Sequence, residues 1–474
     1  MANGTFHRTR LAWLGASLLV GCGGARPRNI SADRTADARP HVVAGLTTSS
    51  AAAESEAMDA DAGVAGEHAS PGAPSVDALV AEALDNHPVL DRARHEASAS
   101  WEVPSQVGAL PDPVFSVAAQ NIRFDEPGLN TSAMSAIQFG LLQGVPYPGK
   151  LAARRDAAKA AAAAQDVRVQ AIETQIALNV RRAYWRLSYA QAAVRITRQN
   201  ERVLNTLTNA VIARFSVAQA AQQDTLQAQT AHSRLRAQLR RRQQIVVSAR
   251  RLLNRAVGRA DHLAIGAVAP PPQEVGDAPS RKALGDALRT HNPDLALGRA
   301  GVRTASAVVD AAEQDRWPDF FAGVSYRLRL STPGDMTQGA DMFGVTVGVT
   351  LPVWTSWKQN ARVRQTRAQR RAADDALVDA ELAVSTALAT AIDEVERLNR
   401  EIELYVREVL PQADAALNAS IEDYTFAEVG FVSLLQNWQM ELDAQLMLAR
   451  LRTDRAERLA EIDALVRPPR GGVR

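Results

Sequence analysis

The chain has 474 residues and a net charge of +2, from 54 basic and 52 acidic side chains, so no overall charge selects nucleic acid or a membrane surface as a partner. Aromatic residues make up only 5% of the sequence, and glycine and proline lie mostly outside long runs rich in alanine, arginine and glutamine. This composition argues against a compact core of the ordinary globular type.

The first residues have the features of a bacterial secretory signal. Arg8 and Arg10 precede an apolar run at 11–20, which is too short to remain as a membrane-spanning helix. Residues 19–22 resemble a bacterial lipobox, in which the cysteine becomes the lipidated first residue of the mature protein. We therefore predict a lipoprotein signal peptide at 1–21 and lipidation of Cys22; the alternative is an incidental cysteine in the signal. Cys22 is the only cysteine, which excludes an intrachain disulfide.

Residues 22–75 follow the signal and consist mainly of small and polar residues. Such a segment buries too little apolar surface to fold, so we predict a disordered tether behind the lipidated cysteine. No later run approaches the length of about 18 consecutive apolar residues that a transmembrane helix needs. If the protein crosses a membrane, the sequence indicates that it does so with strands.

Two segments of the chain share the same order of landmarks. In each, alternating apolar residues end at a proline-containing corner, and a long helical pattern follows. The corner residues are Pro146, Pro148 and Gly149 in the first segment and Pro352 in the second. Related landmarks lie 205 to 209 residues apart, which predicts a tandem repeat. The predicted domains are a first repeat at 76–260, a linker at 261–280, a second repeat at 281–467 and a tail at 468–474.

The first repeat is predicted to open with a helix from Val76 that is kinked at Pro88, followed by a strand at 114–124 and a second strand up to the corner. The second repeat shows cleaner alternation at 324–330 and 343–351. Strands of about ten residues have the length needed to cross a bilayer in a tilted barrel, although one such hairpin alone also fits the edge of a soluble sheet. Because a transmembrane barrel needs at least about eight strands, a membrane function requires an oligomer.

A very long helix is predicted from Lys150 to about Ala213, and another from Ala361. Their apolar residues, and those of the helices that return from them, follow coiled-coil spacing of three and four residues, which places them on one seam. The seam residues are Ile176, Val180, Ala183, Leu187, Ala190 and Val194 in the first repeat and Leu435, Trp438, Leu442, Leu446 and Ala449 in the second.

Each long helix reverses at a related motif, which begins near Phe215 in the first repeat and at Tyr424 in the second. Together with the repeat, the corner at 145–150 and the Leu410-Pro411 pair, these turns resemble those of TolC-type outer-membrane efflux proteins. The resemblance covers residues 76–467 and is strongest to the lipoprotein branch that serves tripartite drug or heavy-metal pumps.

The resemblance implies a mainly α-helical fold with a transmembrane β-barrel. In such proteins a homotrimer pools four strands per chain into a twelve-stranded barrel, and the helices form a coaxial α-barrel in the periplasm. The implied function is the exit duct of a tripartite efflux pump, with a periplasmic adaptor protein and an inner-membrane pump as partners. The implied location is the outer membrane, with a lipid anchor and helices that extend into the periplasm.

The resemblance also implies that the two turns form a periplasmic gate and adaptor-binding tip. The residues concerned are Phe215, Ala218, Asp224, Tyr424, Ala427, Glu428, Ser433 and Gln436. Asp224 and Tyr424 match the gate hydrogen-bond network of the family. The family usually has glycine where this chain has Ala218 and Ala427, and acidic residues where it has Ser433 and Gln436. An alternative role for Asp224 is that it caps the returning helix.

Other classes of function fit the sequence less well. An enzyme needs a convergent set of nucleophile, base or metal ligands, and the eight histidines are scattered without metal-ligand spacing. We therefore expect no catalytic site, metal, cofactor or nucleic-acid partner. A periplasmic adaptor or coiled-coil scaffold lipoprotein without a channel is the alternative; it explains the hairpins but neither the four strands nor the repeat.

Overall fold

The structure is a computed structural model that describes residues 74–273, 280–332, 335–336, 338–426 and 428–467. The expectations for the signal peptide, Cys22, the tether before residue 74, Ala427 and the tail concern residues outside these ranges. The described part of the chain is mainly helical. None of its helices is both long enough and apolar enough to cross a membrane.

The elements follow the same general order in the two halves. The first half contains α1 (Val76–Asn86), α2 (Pro88–Trp101), α3 (Val103–Val107), β1 (Val114–Gln120), β2 (Ala136–Val145), α4 (Lys150–Ser216) and α5 (Gln222–Val257). The second half contains α6 (Arg281–His291), α7 (Pro293–Gln314), β3 (Asp319–Arg329), β4 (Met342–Thr350), α8 (Gln359–Leu404), a π-turn (Tyr405–Val409), α9 (Leu410–Thr425) and α10 (Phe431–Val466).

The kink expected at Pro88 is a complete break between α1 and α2. His87 has extended backbone between the two helices, and its Nδ1 accepts a hydrogen bond of 3.2 Å from the amide of Val89. A proline disfavours helical backbone at the residue before it. The proline itself fits the first position of a helix, because the amide at that position needs no hydrogen-bond partner within the helix. Asn292 and Pro293 begin α7 in the same way, and the Asn292 side chain caps that helix.

The four strands form one antiparallel sheet in the order β1-β2-β3-β4. The first strand ends at Gln120 rather than at Phe124 as expected, because Asn121 has a positive φ of 54° that turns the chain. The register places apolar residues opposite one another on one face, for example Phe139, Tyr326 and Phe343. Small and polar residues share the other face, for example Gly140, Ser325 and Gly344. Within the described residues, the outer edges of β1 and β4 pair with no strand.

The first long helix, α4, has 67 residues and extends for roughly 100 Å. It begins at Lys150 as predicted and ends three residues beyond the predicted Ala213. The predicted seam is buried at Ile176, Val180, Leu187, Ala190 and Val194. Trp438, Leu442 and Leu446 of α10 are also buried, in a second cluster farther along the helices. The coiled-coil periodicity therefore identified the packing faces of both hairpins.

The helices pack side by side in a layer. Next to the sheet, α7 packs between α4 and α8. Farther away, α5 packs on α4, α4 packs on α10, and α10 packs on α8 and α9. The half of the layer that is distant from the sheet therefore has α5 along one edge and α8–α9 along the other.

Candidate functional site

The first strand corner connects the start of α4 to the start of β3. Gly149 precedes α4 with a φ of 99°, a left-handed conformation that glycine adopts without strain. Lys150 is only 4% exposed, and its Nζ donates hydrogen bonds to the Trp317 carbonyl (2.7 Å) and to Asp319 Oδ1 (2.8 Å). The Tyr147 amide also donates to Asp319 Oδ1, at 3.0 Å. The corner thus fixes the direction in which the long helix leaves the sheet.

The second corner lacks this anchor. Pro352 is half-buried, its carbonyl accepts a hydrogen bond from the Thr355 hydroxyl, and Lys358 before α8 is exposed. Two exposed tryptophans, Trp354 and Trp357, stack with ring centroids 6.2 Å apart. In the first corner, Tyr147 likewise stacks on Trp317 at 5.0 Å. Aromatic side chains therefore collect where the sheet meets the helices.

The first hairpin tip is a Schellman turn, a common way to end a helix. The Gln219 amide donates to the Arg214 carbonyl at 2.8 Å, and the Ala218 amide donates to the Phe215 carbonyl at 3.0 Å. Ala218 occupies the position of this motif that glycine usually fills, and its φ is 62°. The geometry explains why glycine is the residue expected here, and it shows that the alanine is strained.

The second tip contains an equivalent bond, from the Glu428 amide to the Asp423 carbonyl at 2.9 Å. Beyond it, Gly430 precedes α10 with extended backbone. The expectation for Ala427 falls outside the described residues. Phe215, Ala218, Glu428, Ser433 and Gln436 are exposed, as a surface that meets a partner requires.

Tyr424 lies at the centre of the tip. Its side chain is only 7% exposed and makes an edge contact with Phe431, with ring centroids 5.9 Å apart. The Arg214 guanidinium lies 4.7 Å from the centroid of the Tyr424 ring and donates a hydrogen bond to the Tyr424 carbonyl. Burial raises the pKa of the Tyr424 hydroxyl; the positive charge of Arg214 opposes this rise and the carboxylate of Asp224 adds to it.

Asp224 is half-buried in the first turn of α5. The N-cap of this helix is Ala221, so the alternative in which Asp224 caps the returning helix is wrong. A carboxylate in the first turn still interacts favourably with the helix dipole. The Tyr424 hydroxyl has no hydrogen-bond partner among the described residues, so the bond to Asp224 that the resemblance implies is not formed within this part of the chain.

The sequence reasoning missed Arg214, although a cation immediately before Phe215 was a visible signal. It also missed a set of buried polar atoms around the tip that lack hydrogen-bond partners within the described ranges: Thr225 Oγ1, Gln227 Oε1 and Trp438 Nε1. Buried polar groups are normally paired, so the tip of the single chain is incompletely satisfied. The described residues contain no group of three or more side chains of the histidine, cysteine or acidic types that could hold a metal ion.

Comparison with known proteins gives a consistent result. The family model for outer membrane efflux proteins matches residues 79–259 and 284–466. Among curated proteins, no sequence matches this chain.

Solved structures share the fold at low sequence identity. The outer membrane protein VceC from Vibrio cholerae is 18% identical with a TM-score of 0.68, over 82% of this chain and 95% of that one. The outer-membrane channel OprN is 17% identical with a TM-score of 0.69, over 83% and 90% of the two chains. The open state of the MtrE outer membrane channel from Neisseria gonorrhoeae is 17% identical with a TM-score of 0.67, over 84% and 89%.

Proposed function

Because the chain belongs to the outer membrane efflux protein family, we propose that it is the outer-membrane exit duct of a tripartite efflux pump. It receives substrates from a periplasmic adaptor protein and an inner-membrane pump and conducts them out of the cell. The observation that carries this proposal is a four-stranded sheet with one apolar face and two open edges, continuous with helices of roughly 100 Å.

The sheet requires partners. Unpaired strand edges expose backbone donors and acceptors, and in a lipid environment only closure into a barrel satisfies them. Three copies joined edge to edge, β4 of one to β1 of the next, supply twelve strands. Val345, Val347 and Val349 share one face with Val324 and Phe320, and this face contacts lipid. Thr346, Gly348 and Thr350 face the interior of the barrel.

The aromatic residues at the two corners mark one boundary of the membrane. Trp317, Trp354 and Trp357 are each more than half exposed in the single chain. Aromatic girdles lie at both interfaces of transmembrane barrels, because these side chains have an apolar body and a polar edge. In this proposal the helices that begin at these corners leave the membrane on the periplasmic side, where they form the α-barrel of the trimer.

The tandem repeat, with domains at 76–260 and 281–467, is part of this proposal because one chain then contributes two equivalent units to the ring. The lipid anchor is a further part: Cys22 carries the lipid and the tether at 22–75 connects it to the body. Cys22→Ser should abolish incorporation of labelled palmitate, and incorporation that persists would contradict the anchor. The adaptor or scaffold alternative accounts for the hairpins but leaves the open apolar sheet without a role.

The hairpin tips close the duct and meet the adaptor. Each long helix reverses only there, so the tips are the parts of the chain most distant from the membrane. In a trimer, three copies of Tyr424 and Asp224 meet at a narrow end, where a hydroxyl without a partner can bond to a carboxylate and hold neighbouring coils together.

The strand faces and the trimer are tested with a matched pair of variants. Val347→Arg places a charge in lipid and should destabilise the inserted trimer by about 2 to 4 kcal/mol, whereas Thr346→Arg faces water. The measurement is the fraction of heat-resistant trimer in detergent, with the mass of the complex determined for the wild type. Equal tolerance of the two arginines would contradict the assigned faces.

The gate is tested by the conductance of an Asp224→Ala, Tyr424→Phe double variant in planar bilayers. A gate lock predicts a larger open fraction than in the wild type. A purely structural role predicts lower thermal stability with unchanged conductance, and that result would refute the gate.

A further inference from the structure

The two edges of the helical layer carry opposite charges. Along one edge, α5 has 36 residues with eight arginines and one aspartate, a net charge of +7. Along the other, residues 390–425 include nine acidic side chains and three arginines, a net charge of −6. These segments have equal length and both begin at the hairpin tips. A chain with a net charge of only +2 thus has an excess of basic side chains in the segment at one edge and an excess of acidic side chains in the segment at the other.

Contacts between basic and acidic helices already occur inside the chain, where the first hairpin meets the second. Basic side chains of α4 pair with acidic side chains of α10 along the central seam. The pairs are Arg181–Asp463 at 3.7 Å, Arg182–Glu461 at 3.3 Å and Arg186–Glu457 at 3.3 Å. Arginine-to-carboxylate contacts are therefore the way in which a helix of the first hairpin packs beside a helix of the second.

Most arginines of this edge have no such partner among the described residues; Arg236 is the exception and pairs with Glu201 at 3.8 Å. Arg234, Arg240, Arg241 and Arg251 are exposed, and the described residues provide no ion pair for any of them. Helical periodicity places Arg240 and Arg251 on the side of α5 opposite to Leu235 and Leu253, which are buried against α4. A shallow hollow on the outward side near the tip is lined by α5 residues alone, among them Leu226, which is 56% exposed.

The acidic edge is also uncompensated near the tip. Glu408 and Asp414 are exposed, and neither forms an ion pair in the described part of the chain. Burial raises the pKa of the nearby Glu441 carboxyl, and the Asp414 carboxylate adds to the rise. Closer to the sheet, the acidic charge is largely balanced within the chain. Arg397 pairs with Glu394 and Glu401, Arg407 pairs with Glu403, and Arg281 of α6 pairs with Asp393 and Glu396.

Opposite charges lie at the same distance from the tip. Counted from the first residue of α5, Arg234 and Arg240 are 12 and 18 positions along; counted back from the last residue of α9, Asp414 and Glu408 are 11 and 17 positions along. At about 1.5 Å per residue, both pairs match in height to within about 2 Å.

We infer that the basic α5 edge of one copy docks against the acidic α8–α9 edge of a second copy, and that arginine-carboxylate pairs set which helices meet and in which register. This inference rests on the proposed function, which requires a ring of chains. The contact joins two different surfaces of the same chain, an arrangement that closes into a ring of three when successive copies are related by a third of a turn. A second copy is the occupant because one chain carries both complementary surfaces at matched heights. Complementary charge of this kind steers docking and excludes wrong registers.

Cross-linking tests the contact directly. Gln244 and Leu404 are exposed residues on the two edges, 22 and 21 positions from the tip. Within one chain, α4 and α10 lie between the two edges, so a short cross-link between these residues joins two chains. A Gln244→Cys, Leu404→Cys double variant treated with a short bis-maleimide should give cross-linked dimers and trimers on denaturing gels. Each single-cysteine variant, treated in the same way, shows whether the native Cys22 contributes to any cross-linking. Gln244→Cys with Leu382→Cys, about 33 Å farther from the tip, should give none.

Charge reversal tests the recognition. Arg234→Glu with Arg240→Glu should weaken trimer formation about tenfold or more, and adding Asp414→Arg with Glu408→Arg should restore it. The control pair, Arg92→Glu with Arg303→Glu, makes the same change in net charge at exposed positions of α2 and α7, outside the two edge segments, and should leave the trimer intact. Raising ionic strength from about 0.05 to about 0.5 M should weaken the wild type and have less effect on the reversed pair.

The outcomes separate this inference from the proposed function. A trimer that conducts ions but gives no Gln244-to-Leu404 cross-link, or that tolerates the reversal without rescue, overturns the inference and leaves the duct intact. Reversal that spares the trimer but abolishes binding of an adaptor assigns the α5 edge to that partner and also overturns it. A wild-type chain that is monomeric and does not conduct contradicts the proposed function itself.

Discussion

The two long arms of the molecule have the same length and different construction. The first, α4, runs for 67 residues without interruption. The second also covers 67 residues, from Gln359 to Thr425, but a π-turn interrupts it at Tyr405–Val409. There the Leu410 amide donates to the Tyr405 carbonyl, five residues back, immediately before Pro411. Because a proline ring clashes with the carbonyl four residues earlier, the wider turn relieves a conflict that α4 does not have.

The arms also differ where they begin. Lys150 is buried and bonded to β3, whereas Lys358 is exposed. The first arm is therefore fixed at its corner and regular along its length. The second is less firmly attached and contains a local irregularity, so we expect it to bend more readily. Four sets of variants test this difference between the arms.

A proline introduced into the first arm should be severely destabilising. Arg202 is exposed within α4, so Arg202→Pro changes little except the backbone. Without a π-turn to accommodate it, the proline should lower the free energy of unfolding by about 3 kcal/mol or more. Loss of helical circular dichroism in a guanidinium titration measures this, with Arg202→Ala as the control. A loss below about 1 kcal/mol would mean that α4 adapts as easily as the second arm.

Removing the corner lysine should affect only the first arm. Lys150→Met leaves the Trp317 carbonyl and the Asp319 carboxylate without their donor, and should lower the free energy of unfolding by about 1 to 2 kcal/mol, since Asp319 is partly solvated. Lys358→Met should stay within about 0.5 kcal/mol. Thermal unfolding of the two variants gives the comparison, and equal losses would contradict the difference between the corners.

Glycine at the first tip should stabilise the protein. Ala218→Gly removes the strain of a left-handed alanine and should raise the free energy of unfolding by about 1 kcal/mol. Ala213→Gly, a few residues earlier within α4, should lower it by about the same amount because glycine weakens a helix interior. Chemical denaturation of both variants tests the expected opposite signs. A loss of stability in Ala218→Gly would show that its backbone is not strained.

The native proline should contribute little. Because the π-turn already accommodates Pro411, Pro411→Ala should change the free energy of unfolding by less than about 1 kcal/mol, far less than Arg202→Pro in the other arm. The same guanidinium titration measures it. If Pro411→Ala raised the free energy of unfolding by as much as Arg202→Pro lowers it, the π-turn would not relieve the clash between the proline ring and the helix backbone.

Much of the fold follows from local signals in the sequence. The corner at Pro146, Pro148 and Gly149, the strands and the start of α4 were predicted because alternation, proline and glycine act on their immediate neighbours. The break at His87 lies one residue before the kink expected at Pro88, and β1 ends at Gln120, four residues before the expected Phe124, since several local conformations compete there. The π-turn was not predicted because the buried residues before it, Leu398 and Ile402, keep the ordinary helical spacing, so the sequence shows no change of period there.

The site was less accessible to sequence reasoning because its contacts join distant segments. Lys150 and Asp319 are 169 residues apart, and Arg214 and Tyr424 are 210 apart. Nothing in the local pattern of either residue specifies its partner; the packing of the first half of the chain against the second does. The cap proposed for Asp224 was wrong because the helix begins two residues earlier, at Gln222, and its N-cap is Ala221.

A chain that forms a duct across the outer membrane conducts ions, so ion conductance measures the proposed function itself. Purified full-length protein and the Asp224→Ala, Tyr424→Phe variant are added to planar lipid bilayers under the same conditions. We expect discrete, uniform conductance steps, with a larger open fraction in the variant. Folded trimers that insert into the bilayer, with no conductance from either protein, would show that this chain is not a duct.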